Sequence, residues 1–499
     1  MKTQDLFTLK SYKKKNAKYF IKNETIKQSV KTNLLIIIFI IFSISLSAQK
    51  DEKAYLTTGF KIGEVSESSV IIWTRLCESE KPNPIVHQRN PPPFRSPIDF
   101  NEDMPVEQMD GAVKGTDGEA RAIIKANGKS IASEWKKVDA GKDFTAIFQF
   151  NNLSPFTKYE VVVEARKSSN HPTTSLNGNF KTAPTKNLEV PVLFTASSDQ
   201  AYWDFDDSIR GFKIYDSMQK LHPDFFVHQG DYIYYDLPGP FAVNIEKACY
   251  KWNRMNAWPA LSDFFKQTPI YMEKDDHDLL QNDCYPSISP YGELSFPLAL
   301  DIWREHVPLI GLPYRTYRWG KDLQIWLVDN REYRSNNNDP DGPDKTIWGK
   351  EQKKWFINTV EASDATFKIL LSSTPIVGPD RSTGKSDNYS NAAFQTEGDW
   401  LRRYLSKHSY MYVVNGDRHW QYVSVDKKTG LLEFDHGPAS NSHADGWDPN
   451  DVRPEHKFLR VKGGFIGVKV ERIGVIPQIT FTLYDVDGKV VHTEIIQAK

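Results

Sequence analysis

Cysteine is scarce in this sequence: Cys77, Cys249 and Cys284 are the only three among 499 residues. Three widely spaced cysteines cannot form a disulfide framework, and the lack of CxxC and CxxxC spacings argues against a cysteine-bound zinc. One disulfide at most can form, and no role follows for the remaining thiol. The GxSxG motif that carries the nucleophile of many serine hydrolases is also missing. A serine hydrolase is therefore disfavoured.

The sequence also lacks an excess of basic side chains and an apolar run of transmembrane length. Residues 49–499 carry 54 basic and 62 acidic side chains, so nucleic-acid binding is not expected. The apolar run from Leu34 to Leu46 is shorter than the roughly 20 residues of a transmembrane helix. It follows nine lysines and ends in Ser45, Ser47 and Ala48, which predicts a signal peptide over residues 1–48. We expect export to the periplasm, the cell surface or the medium, with an uncleaved anchor as the alternative and no other membrane-spanning segment.

Residues 52–185 contain short segments in which apolar and polar side chains alternate, with turn residues between them. Examples are SSVIIWTRL, GEARAIIKA, FTAIFQF and TKYEVVVEAR. This pattern predicts an antiparallel β-sandwich of the fibronectin or immunoglobulin type. A proline-rich insertion, NPPPFRSPIDFNEDMPVEQMDG, interrupts the pattern. It is either a plain surface loop or a strap that faces a substrate.

Residues 190–499 follow a different pattern. Apolar runs such as VPVLFTASSD and DFFVHQGDYIYY alternate with longer helical stretches such as KEQKKWFINTVEAS. Alternation of buried strands and helices predicts an α/β domain. The C-terminal stretch returns to hairpin-like alternation and is expected to close a sheet.

Polar clusters follow five predicted strands of this second domain. An aspartate after a strand is usually a turn former or a helix cap, but ligands of layered α/β folds bind at the carboxyl ends of strands. Carboxylates, imidazoles and a phenol suit iron, manganese, calcium, magnesium or zinc. A two-metal centre needs a bridging carboxylate and a histidine that can protonate a leaving group. The clusters are Asp199 with Gln200, Asp231 with Tyr234, Asp275–Asp278, Asp329 with Arg331, and Asn415–His419.

The order of the motifs GDYIYYD, DDHD, LVDNREYR and NGDRHW resembles the alkaline phosphatase D (PhoD-like) family of calcineurin-like metallophosphoesterases. The segment GEVSESSVIIWTRL resembles the N-terminal domain of that family. The resemblance implies a β-sandwich over residues 52–185 and a four-layer αββα metallophosphoesterase domain over residues 190–499. It also implies hydrolysis of phosphate monoesters or diesters by water that two divalent or trivalent metal ions activate.

The same resemblance implies roles for individual residues. Asp231 would bridge the two metal ions, and His277 would protonate the leaving group as a general acid. The implied metal ligands are Asp199, Asp231, Tyr234, Asp276, Asp417 and His419. The catalytic candidates are His277 and Asp278, and the candidates for substrate contacts are Arg331 and Arg418.

One position departs from the family pattern. The family commonly has an iron-binding cysteine after a serine at the end of the first strand of this domain. The segment ASSDQ places Ser198 there, followed by Asp199. A serine hydroxyl is a poor substitute for a thiolate, which disfavours iron and favours manganese, calcium, magnesium or zinc.

Two other functions fit the sequence. Sulfate esters resemble phosphate esters in shape with one charge fewer, so the same site could remove sulfate from a polysaccharide. The loop Ser440–His456 would suit a sugar platform, or it is a plain surface loop. The chain could also be an inactive enzyme that binds a polymer or a surface. The expected substrate is thus a small-molecule or polysaccharide ester.

Overall fold

The computed structural model describes residues 53–381 and 386–499. The predicted signal peptide lies outside these residues. Within them, no helix combines the length and the apolar character that crossing a bilayer requires. This part of the chain contains three β-sheets of nine, seven and five strands together with α-helices.

The nine-stranded sheet contains the strands that precede most of the predicted site residues. Its members are β1 (Phe60–Gly63), β2 (Val70–Arg75), β6 (Thr145–Phe150), β9 (Val192–Ser197), β10 (Phe225–Gln229), β11 (Ile270–Glu273), β19 (Gly464–Ile473), β20 (Ile476–Asp485) and β21 (Val490–Gln497). Their spatial order is β21-β20-β19-β9-β10-β11-β1-β2-β6. β9, β10 and β11 are parallel neighbours. Their nearly continuous apolar sequences suit strands that are buried on both faces.

The seven-stranded sheet has a second parallel core. Its members are β12 (Arg315–Trp319), β13 (Leu323–Leu327), β14 (Phe367–Ser372), β15 (Met411–Asn415), β16 (Gln421–Val425), β17 (Leu432–His436) and β18 (His456–Arg460). β13, β14 and β15 run parallel to one another. The five-stranded sheet is antiparallel and consists of β3 (Glu119–Ala126), β4 (Lys129–Ala132), β5 (Lys136–Lys137), β7 (Lys158–Arg166) and β8 (Thr174–Lys181).

The helices connect the parallel strands. They are α1 (Lys213–Gln219), α2 (Ile245–Asn256), α3 (Pro259–Phe265), α4 (Phe296–His306), α5 (Gly349–Glu361) and α6 (Gln395–Leu405). The side chains of Asn244 and Ser295 accept backbone N–H groups in the first turns of α2 and α4. These caps fix where the two helices begin.

Side-chain alternation along the strands separates the apolar cores. On β10, Phe225 and Val227 share a core with residues of the seven-stranded sheet such as Ile369, whereas Phe226 packs among residues of α1 to α4. On β14, Leu370 faces the other way and packs with residues of α5 and α6. Residues of the two large sheets therefore share one core, whereas the opposite faces of β10 and β14 pack against helices.

The predicted α/β class is confirmed in its coarse form, but residues 52–185 do not fold as a separate sandwich. Gly63 of β1 pairs in parallel with Ile270 of β11, and β2 and β6 continue the same sheet. β3, β4, β5, β7 and β8 are left to form their own sheet. The predicted boundary at residues 185–190 falls between β8 and β9, but strand pairing crosses it. Alternation along a strand reveals its buried face but not its neighbour, which explains the difference.

Candidate metal centre

The ends of parallel strands bring the predicted ligands together. Asp199, Asp231 and Asp276 follow β9, β10 and β11, whereas Asp417 and His419 follow β15 of the other large sheet. The two sheets meet at this edge, where His419 Nε2 lies 3.4 Å from Asp199 Oδ1. The carboxyl ends of the strands thus form one polar centre.

Three of these carboxylates are on left-handed backbone directly after a strand. The φ angles of Asp199, Asp231 and Asp417 are +54°, +51° and +68°. Gly230 precedes one of them with a φ of +88°, and a Cβ there would lie 2.6 Å from Asp275 Cβ. Only glycine fits that turn without displacing its neighbours. Repeated use of a costly backbone conformation is typical of functional sites.

Asp231 is a buried carboxylate without local compensation. Among the described residues, neither of its carboxylate oxygens accepts a hydrogen bond of regular geometry. Burial and the charges of Asp276 and Asp275 raise its pKa well above the usual value. Asp231, Asp276 and His277 each present one ligand atom, and these atoms lie within 4.8 Å of one another. Such a group of buried acids is unfavourable unless a cation compensates it, so these residues fit a metal ion.

Asp199 is at the other side of the centre. The Ser198 hydroxyl donates to Asp199 Oδ2, and Tyr234 Oη lies 3.4 Å from Oδ1. Burial acts to raise the pKa of Asp199, but its interactions with His419 and the hydrogen bond from Ser198 outweigh burial and lower the pKa on balance. Asp199 is therefore an anion with a phenol and an imidazole beside it, a set of oxygen and nitrogen donors that suits a hard cation.

Sequence reasoning missed His443, which supports Tyr234. His443 Nε2 lies 2.8 Å from Tyr234 Oη, and its Nδ1 lies 2.7 Å from Asp204 Oδ2. All three side chains are buried. Asp204 and His443 are 239 residues apart, so no local pattern connects them. The loop Ser440–His456 thus contributes a histidine to the centre, in addition to any surface role.

Sequence reasoning also missed Asp236, the last residue of the GDYIYYD motif. Its Oδ1 lies 2.6 Å from His277 Nδ1, and its Oδ2 accepts the Asn282 backbone N–H at 2.9 Å. Burial acts to raise the pKa of Asp236, but the charge and hydrogen bond of His277 lower it on balance. The His277 ring also lies 4.4 Å from the Tyr234 ring, centroid to centroid. Asp236 therefore fixes the orientation of the predicted general acid.

Replacing Asp236 by asparagine is expected to lower kcat by about 10- to 100-fold and to leave metal content and KM nearly unchanged. The carboxylate contacts His277 Nδ1 directly, and its loss frees the imidazole to adopt other orientations. Steady-state kinetics and elemental analysis of the purified variant would measure both quantities. A parallel loss of metal would contradict this role and would make Asp236 a support of the ligands instead.

The contacts of Asp278 do not fit its predicted catalytic role. Its Oδ2 accepts the backbone N–H groups of Asp231 and Asp275 at 2.8 and 3.0 Å, and its Oδ1 accepts those of Tyr232 and Ile233 at 2.8 and 3.1 Å. The side chain is fully buried. A carboxylate that accepts four backbone N–H groups holds a loop in place and does not reach a substrate. Asp278 is therefore a positioning residue for Asp231.

The two arginines predicted to contact substrate are buried in ion pairs. Arg331 binds Asp275 Oδ1 through Nε, and its Nη2 lies 3.5 Å from Asp276 Oδ1. Arg418 Nη2 lies 2.9 Å from Asp417 Oδ2, and its side chain is 1% exposed. Arg331 and Arg418 therefore hold carboxylates of the centre in place. The spacing of arginines along the chain could not reveal the direction of these side chains.

A cleft of about 350 Å³ opens over the centre. Its volume is near the lower end of the range for small-molecule sites. Among the described residues that line the cleft, the arginine is Arg381, and its side chain is 39% exposed. The walls include Phe94, His277, Arg381, Asp417, His419 and Trp420. The arrangement can hold cations at its base and a small ester above them.

Known proteins resemble this chain in sequence and in fold. Alkaline phosphatase D of Bacillus subtilis (strain 168) is 24% identical over 233 residues, which are 39% of this chain and 39% of the relative. The match thus spans well under half of that relative's length. The solved structure of PhoD superimposes with a TM-score of 0.66 at 18% identity and covers 88% of each chain.

A purple acid phosphatase, PPD1 from yellow lupin seeds, shares the fold at greater distance. It has a TM-score of 0.60 at 12% identity and covers 87% of this chain and 73% of its own. These structures show a shared mixed α/β fold with several sheets. The model of the PhoD-like phosphatase family matches residues 194–450, just over half of the chain and the segment that contains every predicted ligand. The resemblance inferred from the motifs is confirmed, and the chain belongs to the PhoD-like phosphatase family.

Proposed function

We propose that this protein is an exported hydrolase of phosphate esters that depends on metal ions. The observation that carries the proposal is the buried Asp231 carboxylate, which accepts no hydrogen bond of regular geometry among the described residues and is surrounded by further carboxylates. A cation is the natural compensation for such a group. Membership of the PhoD-like phosphatase family supports a phosphate ester as the substrate.

We propose that the ligand set holds two cations. Asp199, Tyr234 and His419 would hold one, Asp276 would hold the other, and Asp231 would contribute to both. Asp417 would complete the set from the other sheet, although its Oδ2 is also paired with Arg418. When bound, such cations lower the pKa of a water molecule and neutralise charge on phosphoryl oxygens. Oxygen and nitrogen donors suit manganese, calcium, magnesium, zinc or iron.

The protein's own residues would bind the ester and supply its proton. His277 lies at the cleft wall, with Nδ1 directed at Asp236, so Nε2 would donate a proton to the departing alkoxide. Asp236 would keep the ring in that orientation, and Asp278 would keep the Asp231 loop rigid. Aromatic walls would limit the access of bulk water.

The proposal includes export of the protein and a four-layer αββα fold. The lysine-rich start and the short apolar run over residues 1–48 support a signal peptide. The core shared by the two large sheets, with helices packed on the opposite faces of β10 and β14, supports the four-layer αββα arrangement. The separate five-stranded sheet supports only part of the predicted N-terminal sandwich.

Elemental analysis combined with a parallel screen of aryl phosphate, bis-aryl phosphate and aryl sulfate tests the proposed function. We expect about two metal ions per chain and hydrolysis of at least one phosphate ester, which a chelator abolishes. Faster hydrolysis of the aryl sulfate would favour a sulfatase. Less than about one metal ion per chain, with no hydrolysis after reconstitution, would favour a binding protein.

A further inference from the structure

The proline-rich insertion forms a folded strap over the centre. We define the strap as residues 90–97. Its two ends are joined, because the Asn90 backbone N–H donates to Ser96 O at 2.8 Å and the Asn90 side chain donates to Ser96 Oγ at 2.8 Å. Arg89, just before the strap, donates to the backbone oxygens of Trp203 and Phe205. The strap is therefore anchored to the α/β layers.

Two backbone hydrogen bonds attach the strap to residues that support Tyr234. The Phe94 N–H donates to Ser442 O at 3.2 Å, next to His443. The Arg95 N–H donates to Asp204 Oδ1 at 2.8 Å, and the other oxygen of Asp204 contacts His443 Nδ1. The tip of the strap is thus fixed relative to the proposed metal ligands.

The Phe94 side chain gains little from burial in this position. It is 37% exposed, and its backbone φ of +51° is unfavourable for a residue other than glycine. Its ring meets the rings of His443 and His419 edge-on, with centroid distances of 4.8 and 5.5 Å. Phe94 also lines the cleft, as do His277 and Trp420. An exposed ring held rigidly at the mouth of a site is suited to contact a ligand.

We propose that Phe94 determines specificity by contacting the alcohol-derived group of the phosphate ester, a role that rests on the proposed function. His277, which would protonate the leaving oxygen, and Phe94 line the same cleft of about 350 Å³, so the group attached to that oxygen would be within reach of the Phe94 ring. A ring gives planar apolar groups a favourable contact that a short alkyl group does not receive. The preferred substrates are therefore esters of aryl or similarly flat alcohols.

Calorimetric titration of the metal-containing protein with phenylphosphonate, methylphosphonate and inorganic phosphate tests this role without turnover. Phe94→Ala is expected to weaken phenylphosphonate binding by about tenfold and to change the binding of the other two ligands by less than about twofold. Phe94→Tyr keeps the ring and should retain phenylphosphonate binding. Metal content should be equal in all variants.

Phe156→Ala is a matched control. Phe156 is 41% exposed with a φ of +49°, close to the values of Phe94, but it is not among the residues that line the cleft. This variant should bind all three ligands as the unaltered protein does. Equal weakening of all three ligands by Phe94→Ala, or no weakening, would overturn the specificity role alone. Failure of the unaltered protein to bind any of them would overturn the proposed function and this inference together.

Discussion

Replacing Asp231 by asparagine is expected to release metal from the protein and to lower kcat/KM by at least about a thousandfold. An amide offers one neutral oxygen where the carboxylate offers two charged ones, and a neutral ligand cannot compensate a pair of cations. Elemental analysis and kinetics with an aryl phosphate would measure both effects. Asp445→Asn is a matched control, because Asp445 is an exposed carboxylate that lines the same cleft. It should keep its metal.

The Asp231→Asn variant should also be more stable than the unaltered protein once metal is removed from both. Burial and neighbouring carboxylates raise the pKa of Asp231 in the folded state, so its ionisation disfavours folding. The metal-free protein therefore loses stability as the pH rises from about 4, the value in the unfolded chain, toward the folded pKa. Asparagine does not ionise, so the Tm advantage of the variant in chelator should grow from pH 5 to pH 8.

Metal binding reverses the order of the two Tm values, because a ligand that binds only the folded state stabilises that state. With metal present, the unaltered protein should have the higher Tm. A metal-free Asp231→Asn variant with a lower Tm than the unaltered protein at pH 8 would show that the carboxylate has a stabilising partner. Undiminished metal content in the variant would remove Asp231 from the ligand set.

Replacing His277 by alanine is expected to lower kcat by about 10² to 10⁴-fold and to leave metal content largely intact. The imidazole would donate the proton to the leaving alkoxide, and alanine supplies none. The loss should be smaller for an ester whose leaving alcohol is strongly acidic, because such an alkoxide departs without protonation. Comparing p-nitrophenyl phosphate with an alkyl phosphate would measure that dependence.

His87→Ala is a suitable control for this experiment. His87 Nδ1 contacts Asp110 Oδ1 at 2.9 Å, in a partly buried pair similar to that of His277 and Asp236, but outside the cleft. The His87→Ala variant should keep its activity. Full activity of His277→Ala would contradict the proton-donor role. Loss of metal together with activity would instead make His277 a ligand, which its position among the ligand atoms of Asp231 and Asp276 permits.

The sequence was sufficient to predict which polar strand ends would lie together. An apolar strand followed by a polar cluster occurs at β9, β10, β11 and β15, and parallel strands necessarily end at a common edge. Asp199, Asp231 and Asp276 could therefore be assigned to one site, and their family resemblance added the expected chemistry. Their roles as ligands stay predictions. Local alternation likewise predicted the strands of the N-terminal part but not the sheet to which each one belongs.

The partners of these residues could not be predicted, because side-chain direction depends on distant contacts. Asp236 lies within the same motif as Asp231, but its contact with His277 depends on the course of the loop after β11. Arg331 and Arg418 stand near aspartates in the sequence, and an arginine near carboxylates pairs with them as readily as with a substrate. The contact between His443 and Asp204 could not be predicted, because the two residues are 239 positions apart and meet only where a distant loop packs.

The pairing of β1 with β11 limits how this protein can be divided. A fragment that began at residue 190 would lack β1 and would leave Ile270 of β11 without its partner Gly63, so this side of β11 would be open to other chains. Unprotected sheet margins of this kind promote self-association. Residues 53–185 are therefore more than an accessory module, because three of their strands belong to the nine-stranded sheet. They complete the sheet in which β11 precedes Asp276 and His277.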